Sequence, residues 1–251
     1  MKQLSFLFYE ELKKILRSRY IYTFALVIVL DMIAFASEYT DRLRSVLYST
    51  GVHVRGQGSA YLFNHEYGPF GVLVLYLIPI LILTAPVFSD EYINKMADQI
   101  RVTENGRSKS TIVKIFIVIT FALCWIVFLA FFSSVMSFAF FDTGVSSLDE
   151  EIITIGKEAI NVFLGCYMMG NLFLLFSTLC RNTVGAVTAG FVAIILPMFI
   201  ESKKKIIHLF PIIGMQAESL LGRSFIENSM IWSFYAVAGS VLFLLNFMSN
   251  K

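Results

Sequence analysis

The chain of 251 residues carries 57% apolar residues, with 25 Phe, against 15% charged residues, and its mean hydropathy is +0.73. That balance excludes an ordinary soluble domain and places the chain in a membrane. The 251 residues accommodate about six spans of ~20 residues with short connections, which leaves no room for a separate soluble catalytic domain. The net charge of +2 hides an asymmetry that only a topology reveals. Cys124 and Cys166 fall inside apolar runs and Cys180 at the end of one, so they read as reduced packing residues rather than a disulfide framework. His53, His65 and His208 are scattered, and no metal-ligand spacing occurs.

In the leading segment 1–19, Leu4, Phe8, Leu12 and Ile15 repeat at helical spacing while Lys13, Lys14, Arg17 and Arg19 gather at the far end. This predicts an amphipathic helix in the inner membrane interface. Its length and amphipathicity oppose a secretory signal, although Ala34, Phe35 and Ala36 could pass for a cleavage site. The first span is expected at residues 20–37. It holds Asp31, whose ionised carboxylate costs about 2.5–3.5 kcal/mol at mid-helix. Asp31 therefore reads as a folding contact, a substrate-path or gating residue, or a group that snorkels to the outer surface, roughly 10 Å away.

An outer loop at 38–69 has no convincing period. The second span, 69–88, contains Pro79 in its middle and Pro86 at its inner end, which predicts a kink at the first and a break at the second. After it comes a polar connection within 86–114. Tyr92, Ile93, Met96, Ala97 and Ile100 share one helical face, and Asp90, Glu91, Asn94, Lys95, Asp98 and Arg101 surround it. A short amphipathic loop helix over residues 90–101 is the expectation. Thr103, Glu104, Asn105, Gly106 and Arg107 read as a turn, and Lys109 and Lys114 lead into the third span at 115–141.

The third span is longer than a bilayer requires and is expected to tilt. Asp142, Asp149, Glu150 and Glu151 follow as an acidic outer loop; Glu150 and Glu151 lack the Arg that an intramembrane Glu-Glu-x-x-x-Arg protease needs. The fourth span (159–179) and the fifth (184–200) are joined by a tight turn, which makes them an antiparallel hairpin. Gly185, Ala186, Ala189, Gly190 and Ala193 give the fifth a small-residue face for close approach, within the subunit or between subunits. Residues 201–229 hold Lys203, Lys204 and Lys205, then Ile206, Phe210 and Ile213 at helical spacing, with Pro211 and Gly214 interrupting. This stretch reads as half-helices dipping into the outer leaflet, and the sixth span is expected at 230–248.

The loop 86–114 resembles the first cytoplasmic loop of the type-two permease family of ATP-binding-cassette (ABC) exporters. There an acidic residue opens a coupling helix, and a Thr, a small residue with Arg, and a Lys follow. Glu91, Thr103, Arg107 and Lys114 stand at these positions, whereas Ile100, Arg101 and Val102 replace the family's Leu-rich approach to the Thr. The rest of the chain fits the same family: an elbow helix before the first span, six spans, and a dipping segment before the last.

The resemblance implies an all-α polytopic membrane protein, with 1–251 as one permease domain. Its partners would be two cytoplasmic ABC ATPase subunits, a second permease chain, identical or related, and the lipid bilayer, with no nucleic acid. ATP and Mg would be bound by the ATPase. ATPase coupling falls by resemblance on Asp90, Glu91, Tyr92, Ile93, Lys95, Met96, Asp98, Ile100, Arg101, Thr103 and Arg107. The chain itself has no phosphate loop, since Gly106, Arg107, Ser108, Lys109 and Ser110 lack the Gly directly before Lys. No catalytic constellation is found, so a non-enzymatic transport subunit is expected.

With both termini inside the cell, the inner segments hold the larger share of Lys and Arg, in keeping with a multi-pass protein of the plasma membrane in that orientation. The Lys203–Lys205 trio on the outer side is discordant. Were the fifth run re-entrant, that trio would be cytoplasmic and the C-terminus outside. Spans with so few charges suit a hydrophobic or amphipathic cargo, such as a peptide, drug or lipid, moved outward. The competing class is a membrane-embedded structural, immunity or sensory protein without a transport cycle, which needs the spans but no coupling helix.

Overall fold

The computed structural model describes residues 2–16, 22–23, 25–27, 29–30, 33, 76–94, 106–140, 148–199, 209–215 and 225–249. All of these lie in helices or the turns at helix ends, and among the described residues there is no strand. In chain order the elements are α1 (Lys2–Leu16), α2 (Ile78–Ile93), α3 (Gly106–Phe140), α4 (Leu148–Cys180), α5 (Thr183–Ile195) with a 3-10 turn at Leu196–Phe199, α6 (Pro211–Gly214) and α7 (Phe225–Ser249).

Three of these helices are long and apolar enough to cross a membrane. Their spans run over Lys109–Phe131, Gly156–Cys180 and Ile226–Ser249, with mean hydropathies of 2.8, 1.7 and 1.7. The described residues are thus all-helical, and composition and helix length make the chain a membrane-associated protein. Asp31 and the outer loop at 38–69 lie outside the described residues, as do Lys203, Lys204 and Lys205.

α4 is the centre of the assembly and packs against α2, α3, α5, α6 and α7. Its sequence permits this because small and polar residues alternate with large apolar ones on several faces. Gly170 lets α3 approach: a β-carbon there would sit 3.0 Å from Val118 Cγ1. Phe173, Cys166 and Met169 fill the core beside Leu77, Ile80 and Leu81 of α2 and its entry turn, and Trp125 and Ile126 of α3. On the α7 side Asn246 donates from Nδ2 to the Asn171 carbonyl at 2.7 Å, a polar tie between apolar helices. α1 lies against α3 and leaves Phe6, Leu7 and Tyr9 exposed.

Four local expectations are corrected. α2 runs without interruption through Pro86, so Asp90, Glu91, Tyr92 and Ile93 belong to that helix and not to a separate one. Pro79 does not stand in the middle of α2 but at its second position, directly after a π-helical stretch at Tyr76 and Leu77. Gly106 and Arg107 begin α3 instead of forming a turn. Asp149, Glu150 and Glu151 fall within α4, which begins at Leu148; acidic residues suit a helix N-terminus because they oppose the positive end of its dipole.

On α5, Ala186 and Gly190 are buried, with Gly190 directly against Leu81 of α2. That part of the small-residue face is used within the chain. Pro211 and Gly214, expected to interrupt a helical run, bound the single turn of α6.

Candidate functional site

The richest polar cluster among the described residues lies where α2 ends, between the start of α3 and the α4–α5 turn. It begins at Pro86. Proline withholds one backbone donor and crowds the preceding turn, and here a side chain from another helix attends the turn that follows. Ser177 of α4, fully buried, accepts from the Phe88 and Ser89 N–H groups, each at 3.1 Å. Its own proton goes to the Ala85 carbonyl at 2.6 Å. Ser89 Oγ donates to the same carbonyl at 2.8 Å and lies 2.9 Å from Thr183 Oγ1 on the first turn of α5.

One turn further on, Glu91 forms an ion pair with Lys114 of α3. Lys114 is 2% exposed, and a buried ammonium survives only when its protons are taken up. Glu91 takes one, and the Val87 carbonyl accepts another at 2.7 Å. The Phe88 ring lies 4.5 Å below the charge, adding a cation–π contact. Ser110, one turn before Lys114 on α3, reaches the same carboxylate at 3.5 Å. Both side chains aim at Glu91 because residues four apart share a helix face.

Asp90 and Tyr92 are held from the α4–α5 turn. Thr183 Oγ1 is 3.5 Å from Asp90 Oδ1, and the Arg181 guanidinium lies 5.4 Å above the Tyr92 ring. Arg181 adopts a left-handed backbone, φ 51°, as a residue must to reverse the chain so tightly after Cys180. Asn182 then caps α5, its Oδ1 accepting the Val184 N–H at 3.0 Å. α2 closes with the Asn94 N–H on the Asp90 carbonyl at 2.9 Å.

Of the residues assigned to coupling, Asp90, Glu91 and Tyr92 are thus brought together with α3, α4 and α5, and Ile93 points outward, 55% exposed. Arg107 is in the first turn of α3. Lys95, Met96, Asp98, Ile100, Arg101 and Thr103 lie outside the described residues. Sequence reasoning passed over Ser177, Ser89, Ser110 and Thr183. Nothing in the chain order pairs Ser177 with a backbone turn 88–92 residues away, and serines inside apolar helices usually bond their own backbone.

Neither a protein-family model nor a curated protein matches the chain. The cluster therefore has to be read from its own chemistry. Its groups are donors and acceptors consumed by one another, with no water-facing nucleophile and base among them. Such an arrangement holds helices in register. What it presents outward is the end of α2, where Ile93 is 55% exposed.

Proposed function

We propose that the chain is the transmembrane subunit of an ABC exporter, moving a hydrophobic or amphipathic cargo outward with ATP hydrolysed by two separate cytoplasmic ATPase subunits. In this reading it spans the plasma membrane six times with both termini inside, and it works beside a second permease chain. The ATPase would grip residues 94–105 and the exposed end of α2. ATP and Mg would remain in the partner.

The observation that carries the reading is the Glu91–Lys114 pair together with the Ser177 tie. A force applied to a loop is useful only if its root cannot yield. Here the root is joined to α3 by a buried ion pair and to α4 and α5 by hydroxyl contacts, so a displacement of the loop would tilt several helices at once instead of fraying one. The resemblance of Glu91, Thr103, Arg107 and Lys114 to the family's coupling loop supports the same assignment.

The test is ATP turnover by the reconstituted permease–ATPase complex, comparing wild type with Arg101→Glu and Met96→Asp. The exporter reading expects turnover to lose its stimulation by the permease in both variants. A structural or sensory protein would leave the ATPase rate unchanged by either.

A further inference from the structure

Glu158 stands apart from the cluster just described. It lies in the first turns of the Gly156–Cys180 span, and 19 residues separate it from Ser177, about 28 Å along the helix axis. In the proposed orientation that is the outer end. It is 3% exposed, and neither carboxylate oxygen has a hydrogen-bond partner among the described residues. Burying such a group in an apolar bundle costs several kcal/mol unless something repays it, and an ionisable residue within a span is a functional candidate by default.

Its neighbours do not repay it. Asn161, one turn along the same face, is already committed: Nδ2 donates to the Gly214 carbonyl at 2.9 Å, and Oδ1 accepts from Trp232 Nε1 at 3.2 Å. The Tyr76 phenol, also 3% exposed, belongs to the core cluster into which the face continues from Glu158 as Val162 and Cys166. A single carboxylate among apolar and aromatic groups supplies too few oxygens for a divalent ion and repels an anion. It suits one monovalent organic cation, whose charge it meets and whose carbon skeleton the aromatic rings accept.

We propose that Glu158 binds an ammonium group carried by the cargo, under a cover formed by residues 211–215. The cover is α6 and Met215. Asn161 holds it through the Gly214 carbonyl, and the Met215 thioether fills the notch left by Gly165, where any β-carbon would collide with it. Withdrawal of this one turn opens the face of α4 at Asn161 and Gly165, which Glu158 adjoins one turn before Asn161. The inference rests on the exporter reading and narrows its cargo to cationic amphiphiles.

The experiment uses the full-length chain in lipid nanodiscs. Because it has 2 Trp, the Trp125→Phe variant leaves Trp232, beside Asn161, as reporter. Octylammonium is titrated against its neutral counterpart octanol. The proposal expects a saturable change in Trp232 emission with octylammonium alone, weakened about tenfold or more by Glu158→Gln, in keeping with the strength of a charged contact. The Glu158→Gln chain should melt no lower than wild type, since the carboxyl it loses has no hydrogen-bond partner among the described residues. Equal responses to the two ligands, or unchanged affinity in Glu158→Gln, would overturn the proposal. So would a Glu158→Gln chain that melts lower or fails to fold, because the carboxylate would then be structural. No ATPase takes part in this assay, so its outcome is independent of whether one associates with the chain.

Discussion

Lys114 and Glu91 show how a single pair sets the behaviour of a whole loop root. The ammonium is almost wholly buried, whereas the Glu91 side chain is 21% exposed, so the cost of separating them falls on the lysine. Glu91→Gln should destabilise the chain by an amount near the lower end of about 3–5 kcal/mol, because water can reach part of the site. Adding Lys114→Met should recover most of that loss, since no charge is then left without a partner. A denaturation double-mutant cycle in detergent checks this, and purely additive losses would show that the pair is not coupled. Ser177→Ala removes one donor and one acceptor that serve three backbone groups. The expected cost is about 1–3 kcal/mol, read as a lower unfolding midpoint. The sequence made Glu91 and Lys114 legible as loop residues, but not as each other's partner. Pairing depends on how α2 and α3 pack, which a chain read in one dimension does not contain.

α2 is where elements and sequence rules diverge most. Propensity alone stops a helix before a proline, yet α2 continues from Ile78 through Pro86 to Ile93. An external contact accompanies this continuity: Ser177 bonds to backbone groups on both sides of the proline, the Ala85 carbonyl and the Phe88 and Ser89 N–H groups, and so adds a tertiary tie to the helix. Pro86→Ala restores a local donor and should make Ser177 less important. The midpoint drop caused by Ser177→Ala is therefore expected to shrink in the Pro86→Ala background. An undiminished drop would mean that the serine has nothing to do with the proline. By contrast, the α4–α5 turn was readable, because Cys180, Arg181 and Asn182 separate two apolar runs and Asn182 is a strong N-cap. The approach of α3 to α4 gives a further test at this scale. Gly170→Val places branched carbons against Val118 and Ile80, and should cost about 1–3 kcal/mol by overpacking.

At the scale of the molecule, helical class and membrane location could be read from composition, since no soluble core absorbs so much apolar surface. The number of crossings is a finer matter. Among the described residues three helices meet the requirement of length and hydropathy, and the sixfold arrangement belongs to the proposed exporter. The candidate site was legible in part: resemblance picked out the acidic start of the loop, while the serine and threonine contacts that fix its root were invisible because each residue type is unremarkable in an apolar helix. Glu158 was missed for a related reason. It follows Asp149, Glu150 and Glu151 closely enough in sequence to look like one more solvated charge, and only the start of α4 at Leu148 carries it into the bundle. Fusing a reporter to either terminus should place both on the cytoplasmic side; opposite sides would require an odd number of crossings and remove the exporter topology.

In the proposed exporter, the loop leaving α2 is the grip of an ATPase. This role is tested most directly by co-purifying the chain in mild detergent with the ATPase encoded nearest to it, comparing wild type with Met96→Asp. The account predicts that the ATPase accompanies the wild-type chain and is lost from Met96→Asp, with the variant still folded and monodisperse. An ATPase that never associates with the wild-type chain, or one that Met96→Asp retains in full, would contradict it.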